Sequence, residues 1–302
     1  MLAIRCCGLT KRYAGKAVVD ALDLDVGQGE VFGFLGPNGS GKTTTARMLL
    51  GLISPDDGEA WLMGSKVPCP ERLAEIGAMI EEPAFYPWMS GRRNLEIIGN
   101  EGGRVQGGGV DEALGLVDIT VAADRKVKTY SQGMRQRLGL AAAVLRRPKL
   151  VLLDEPANGL DPAGIHDLRS LLRHLAEAGS TVFLSSHLLG EVEQVCDRVA
   201  IIDRGRLVTA GTIESLGGAR HRVRVTVAGD ETAGARSALT PWKVTTAGDS
   251  DLLVEGAGGR DVNQALAAAG IFATEVTVER LSLEDGVLAL TEGDHEQASL
   301  GG

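Results

Sequence analysis

The densest chemistry in the sequence lies in Gly36-Pro37-Asn38-Gly39-Ser40-Gly41-Lys42-Thr43-Thr44, a GxxxxGK[ST] pattern set between the apolar run Val31–Leu35 and a helical pattern over 45–50. Glycines at 36, 39 and 41 let consecutive backbone N–H groups curl around a phosphate, and the helix N-terminus that follows adds positive potential. Lys42 can then bridge the β- and γ-phosphates of a nucleotide, and the Thr43 hydroxyl can ligate Mg²⁺. A second acidic site follows at Leu150-Val-Leu-Leu153-Asp154-Glu155-Pro156. A buried strand ending in two acids offers Asp154 to the Mg²⁺ shell and leaves Glu155 able to polarise a water in line with the γ-phosphate. Together these residues spell phosphoryl transfer from a nucleoside triphosphate to water.

The elements that must position them follow from periodicity. Apolar runs of strand length at 31–35, 150–153, 181–184 and 199–202 alternate with helical patterns such as 134–145 and 165–175. Continuous apolar strands alternating with helices imply a parallel sheet covered on both faces. The segments 2–9, 18–26 and 59–63 read as more exposed strands forming an antiparallel edge, so a mixed α/β core is expected. Between Pro83 and Lys128 the pattern changes to helices at 91–98 and 110–117, separated by the glycine-rich stretch 102–109, which predicts an inserted helical subdomain with a soft loop. After Gly217-Gly218 the composition shifts again. Short alternating strands at 222–227, 252–254 and 274–278, with helices at 262–269 and 281–290, predict a small α+β module.

Composition limits the setting. The chain has 302 residues, 31 basic and 40 acidic side chains, a net charge of −9 and 44% hydrophobic residues. That length supports roughly two domains. The negative charge argues against a free-standing nucleic-acid or anionic-lipid binder. No run approaches the ~18 apolar residues of a membrane span, and residues 1–13 lack a secretory signal, so any membrane role needs a separate spanning partner. Cys6, Cys7, Cys69 and Cys196 show no metal-ligand spacing and read as small core residues of a reducing compartment.

Tyr130-Ser131-Gln132-Gly133-Met134-Arg-Gln136-Arg137 opens the helix before the acidic strand, and Asn158-Gly159-Leu160-Asp161 and Ser185-Ser186-His187 come after that strand. Read alone, Ser131 is an N-cap and Gly133 a permissive turn residue. The five motifs in this order resemble the ATP-binding subunits of ABC transporters over at least residues 2–216. The resemblance implies a P-loop ATPase cassette over 1–218, with its helical subdomain at about 84–146 and an accessory domain at 219–302. It further implies a head-to-tail homodimer around two Mg-ATP, in which Ser131 and Gly133 bind the γ-phosphate held by the other subunit. His187 resembles the switch histidine at the γ-phosphate, Asp161 the residue linking the two sites, and Tyr13 the aromatic that stacks on adenine.

One position departs from the family pattern. Where most members carry a glutamine, the chain reads Ile80-Glu81-Glu82-Pro83-Ala84-Phe85-Tyr86-Pro87, similar to the bacitracin-resistance and lantibiotic-immunity exporters. A carboxylate ligates Mg²⁺ more strongly than an amide, so Glu81 is a further candidate metal ligand that reports Mg-ATP to Phe85, Tyr86 and Trp88, the expected contact with the membrane subunit. The segment 281–291, Leu-Ser-Leu-Glu-Asp-Gly-Val-Leu-Ala-Leu-Thr, is similar to the ending of daunorubicin-resistance ATPases, with Gly286-Val287 in place of the usual Val-Phe. The expected protein is the ATP-hydrolysing subunit of an exporter of drugs, antibiotics or peptides, at the cytoplasmic face of a membrane, with no nucleic-acid partner. A non-transport ABC ATPase working on nucleic acid or ribosomes would usually join two cassettes in one chain or insert long coiled coils or metal clusters. A P-loop kinase or GTPase would lack the segment around Ser131 and His187.

Overall fold

The computed structural model describes residues 1–81, 83–100, 109–218 and 221–280. The chain divides into two compact units, Met1–Gly211 and Thr212–Gly302, so the break falls ahead of Gly217-Gly218.

In the first unit, two twelve-residue strands, β1 (Leu2–Tyr13) and β2 (Lys16–Gly27), pair antiparallel. They are followed by β3 (Val31–Leu35), α1 (Lys42–Leu49), β4 (Asp57–Leu62), β5 (Ser65–Lys66) and β6 (Ile76–Met79). Next come α2 (Gly91–Asn100), α3 (Gly109–Leu116) and α4 (Gln132–Val144), then β7 (Leu150–Asp154), α5 (Pro162–Glu177), β8 (Thr181–Ser186), α6 (Leu189–Val192), β9 (Arg198–Asp203) and β10 (Arg206–Thr212). Six strands form one sheet in the order β10-β9-β3-β8-β7-β6, with β9, β3, β8, β7 and β6 parallel. Every residue of β3, β7 and β8 is buried, which is why each reads as an unbroken apolar run.

The expected antiparallel strands form a separate sheet, β2-β1-β4-β5. They are half-buried rather than exposed. Ile4, Cys6 and Leu9 of β1 and Val19, Leu22, Leu24 and Val26 of β2 alternate into a core shared with Phe32, Phe34 and Phe183 of the parallel sheet and Met48 and Leu49 of α1. Phe32 and Phe183 stack with centroids 6.0 Å apart. Each such buried side chain contributes roughly 1.5–3 kcal/mol relative to exposure. Cys6, Cys69 and Cys196 are buried and all four thiols are free; burial pushes the Cys6 thiol up to about 12.

Helices α2, α3 and α4 pack together between β6 and β7, where the sequence predicts the helical insertion. Of the glycine-rich stretch 102–109, Gly109 begins α3 and the rest lies outside the described residues. Among the described residues no helix is long and apolar enough to cross a membrane.

The second unit contains β11 (His221–Thr226), α7 (Thr232–Ala238), β12 (Lys243–Thr246), β13 (Asp251–Glu255), α8 (Gly259–Ala268) and β14 (Glu275–Arg280). The sheet order is β12-β13-β11-β14 with every pair antiparallel, the split β-α-β arrangement. Val223, Val225, Leu252 and Val254 bury one face against Ala235, Leu239, Val262 and Leu266 of the helices. The opposite face carries ion pairs: Arg224 reaches Glu279 at 2.5 Å and Asp251 at 3.1 Å. Those guanidinium contacts hold the Glu279 carboxyl below its usual range. Strand β12 and helix α7 escape the sequence reading, and the helix expected at 281–290 lies outside the described residues.

Candidate active site

Three strand ends meet at one edge of the parallel sheet. β3 runs into the glycine loop, β7 ends in Asp154 and Glu155, and β8 ends before His187; the register pairs Leu35 with Ser186 and Asp154 with Ser185. Ligand sites form outside the carboxyl ends of parallel strands, and this register brings the loop, the acids and the histidine to one such end.

The loop can exist only with glycine at its tightest points. A Cβ on Gly36 would lie 2.2 Å from Ile202 O, and Gly41, at φ 107°, would place one 2.6 Å from Val18 O. Helix α1 begins at Lys42. The Lys42 ammonium is buried, donates to Gly36 O at 2.7 Å and Pro37 O at 3.2 Å, and lies 3.2 Å from Glu155 Oε1 as an ion pair. Ser40 Oγ is buried with no hydrogen-bond partner, a polar group inside the loop available to a ligand.

Thr43 Oγ1 donates to Asp154 Oδ2 at 2.6 Å, and Ser185 Oγ donates to Asp154 Oδ1. Glu155 has φ 48°, a sparsely populated conformation for a residue with a Cβ. Its N–H donates to Ser185 O at 3.2 Å and Ser185 Oγ at 3.1 Å, and its Oε2 lies 2.7 Å from His187 Nδ1. Glu191, near this group, has its carboxyl pushed up, chiefly by burial and against the attraction of Arg169 and His187. Glu155 thus stands within bonding reach of both the Lys42 ammonium and the His187 imidazole, with Asp154 beside it in sequence and held by Thr43 and Ser185, a set able to bind phosphate and accept a proton.

A cleft of about 340 Å³ adjoins these groups, lined in part by Glu81, Gln132, Gln136, Asp154, Glu155 and Asn158. Glu81 is half-exposed at φ 65° and forms a salt bridge with Arg47 rather than touching Thr43 or Asp154. Ser131 caps α4, its Oγ accepting from Met134 N–H at 3.2 Å, and Gly133 lies on the first turn. Asp161 caps α5, accepting from Gly164 N–H at 2.9 Å, with Pro162 next in line. Tyr13 is exposed at the end of β1, with Lys11 Nζ 5.7 Å from its ring centroid.

Tyr86 and Trp88 are exposed at 46% and 61%, their centroids 5.5 Å apart, whereas Phe85 is half-buried. Buried Asn94 of α2 fixes their loop: its Oδ1 accepts from Tyr86 N–H at 2.8 Å and its amide donates to Tyr86 O at 3.2 Å. The sequence reading misses Ser185, which joins Asp154 to the Glu155 backbone, and Arg47, the partner of Glu81. Ser185 stands inside the quoted Ser-Ser-His, but a serine at a strand end carries no signal of its partner.

The ABC transporter family model matches residues 19–158. An ABC transporter ATP-binding protein of Bacillus subtilis, YdbJ, is 36% identical over 295 residues, covering 96% of each chain. The daunorubicin/doxorubicin resistance ATP-binding protein DrrA of Streptomyces peucetius is 37% identical over 304 residues, 96% of this chain and 92% of its own. The bacitracin transport ATP-binding protein BcrA of Bacillus licheniformis is 45% identical over 208 residues, 68% of each chain. A solved ATP-binding subunit of an ABC transporter superposes with a TM-score of 0.66 at 25% identity, over 72% of this chain and 92% of that one. With the glycine loop, the acidic strand end and the histidine meeting at one sheet edge, the chain belongs to the ATP-binding subunits of ABC transporters.

Proposed function

We propose that this subunit hydrolyses ATP to drive export of a drug, antibiotic or peptide through a separately encoded membrane subunit. The observation that carries the hydrolytic half is the contact set of Glu155 with Lys42 and His187, because it brings a base beside the phosphate-binding cation. Residues 36–44 wrap the β- and γ-phosphates, with Lys42 supplying charge and Tyr13 offering a face to the adenine. Glu155 accepts the proton of the attacking water. His187 orients Glu155 and reaches toward the γ-phosphate. Ser131 and Gly133 act on the nucleotide of a second copy, and Asp161 links the two sites in that head-to-tail dimer. The cassette of 1–218 carries this cycle, and 219–302 is an accessory domain. Export of antibiotics rests on the names of relatives such as DrrA and BcrA. The exposed Tyr86 and Trp88 suit the membrane subunit as the contact, with the protein at the cytoplasmic face.

Thr43 and Asp154 present hard oxygen donors 2.6 Å apart, a fit for Mg²⁺. Among the described residues no cluster of three or more His, Cys, Asp or Glu side chains could hold a metal alone, which fits a cation shared with substrate phosphates. When bound, the metal neutralises charge on the phosphates.

Two outcomes test this reading. The purified chain is expected to hydrolyse ATP in Mg²⁺ and to lose at least about 99% of that rate in excess chelator, a loss on the scale of the charge stabilisation removed; a rate indifferent to chelation overturns it. Glu81→Gln is expected to raise the Mg²⁺ concentration for half-maximal hydrolysis by about threefold or more, since a neutral amide attracts the cation less and leaves the Arg47 charge unneutralised. Hydrolysis and transport matching the parent at every Mg²⁺ concentration would remove Glu81 from metal sensing.

A further inference from the structure

The loop after Glu155 is tied to helix α4 at three points. Gln136 Nε2 donates to Pro156 O at 2.9 Å. Gln132, one turn earlier on the same helix face, presses on Gly159 so closely that a Cβ there would lie 2.8 Å from its Cδ. Gly133 faces the Gly159 carbonyl: a Cβ on it would lie 3.4 Å from Gly159 O. The peptide before Glu155 is pinned by Ser185 O and Ser185 Oγ on β8, and Asn158 N–H returns to Glu155 O at 3.1 Å. Glu155 thus keeps its φ of 48° between two anchors, one on the sheet and one on α4.

We infer that Gln136 is a positioning residue that sets the direction of the Glu155 carboxylate by holding Pro156 O to the helix that carries Ser131 and Gly133. Any displacement of α4 then moves the carbonyl next to Glu155, so engagement of Ser131 with a second copy's nucleotide is reported to this copy's own base. The amide is the only part of Gln136 that can do this: a carbonyl oxygen accepts, and only a donor can hold it. Arg137, the next residue, fixes α4 from another side, donating to Val117 O at 3.0 Å and Asp167 at 2.8 Å, so the helix stays seated when the Gln136 bond is removed.

This inference rests on Glu155 as the base, and its test separates the two. Gln136→Met keeps length and loses the donor; Gln136→Lys keeps a donor of similar reach. Steady-state ATP hydrolysis is measured for both and for Glu155→Gln, and dimer formation with Mg-ATP is measured for Glu155→Gln with and without Gln136→Met. Gln136→Met is expected to lower kcat about tenfold, the scale of a misplaced catalytic group, with KM changed less than twofold. Gln136→Lys should keep kcat within about threefold, and on the Glu155→Gln background the ATP-dependent dimer should form equally whether or not Gln136→Met is added. If Gln136→Met hydrolyses like the parent, or if kcat and the dimer are lost together, the positioning role is wrong while Glu155 stands. If Glu155→Gln itself hydrolyses normally, both readings fall.

Discussion

Glu155→Gln is expected to bind Mg-ATP with parental affinity, to hydrolyse it about a thousandfold more slowly, and to accumulate as a stable dimer. The substitution keeps the shape of the side chain at φ 48° and removes one property, the ability to take a proton. The 3.2 Å approach of Lys42 to Oε1 can persist to the amide oxygen, and the amide nitrogen that takes the place of Oε2, 2.7 Å from His187 Nδ1, can donate to that ring nitrogen, so the phosphate loop keeps its geometry. Two copies closed around ATP would then have no route to reopening. Size-exclusion chromatography with light scattering, run with and without Mg-ATP, reads the dimer, and phosphate release reads the chemistry. A variant that hydrolyses at the parental rate, or one that stays monomeric at saturating Mg-ATP, removes the base from Glu155 or removes the ATP-bridged dimer.

Lys42→Met carries the second large effect. Lys42 is 6% exposed and its ammonium contacts Gly36 O, Pro37 O and Glu155 at the mouth of the loop. Charge-assisted contacts of this kind contribute about 1.5–3 kcal/mol each. Loss of the two that a β- and a γ-phosphate would receive therefore weakens ATP binding by at least roughly a hundredfold. Nucleotide titration by calorimetry checks it, and a Kd within threefold of the parent would show that the backbone N–H groups alone carry the phosphates. The fold should survive, because Met48 and Leu49 of α1 stay buried in the core whatever occupies position 42.

The parts of the molecule legible in the sequence are those where burial is two-sided or a short-range bond marks a boundary. Strand β3 covers Val31–Leu35, the apolar run itself, because both its faces are covered. Helix α4 starts at Gln132 because Ser131 supplies its cap three residues before Met134 N–H needs one. Segments 2–9 and 18–26 are legible as strands, but their alternation resembles an exposed edge until the apolar side meets Phe32, Phe34 and Phe183. Helix α7 and β12 lack contrast: Thr-Ala-Gly-Ala-Arg-Ser-Ala and Lys-Val-Thr-Thr offer too few large apolar side chains for a period to show.

Within the site, the residues suited to phosphate are legible because their chemistry is local to a loop or a strand end. Their supports are not. Ser185 meets Asp154 across 31 positions, Arg47 meets Glu81 across 34 and Gln136 meets Pro156 across 20, and no local pattern encodes a pairing made by the fold. The unit boundary has the same character: the glycine pair at 217–218 marks a change in composition, whereas the change in packing comes between Gly211 and Thr212.

Asn94 bonds the backbone of Tyr86 and never its ring. The bonds from Asn94 therefore do not depend on which rings stand at 86 and 88. With the rings at 86 and 88 as the proposed contact with the membrane subunit, a duplicated copy of this gene could exchange them for other shapes, meet a different membrane protein and leave the cluster of Lys42, Glu155 and His187 in place. Divergence of partners would then need few substitutions and no refitting of the motor, a route by which one ATPase lineage comes to serve many pumps.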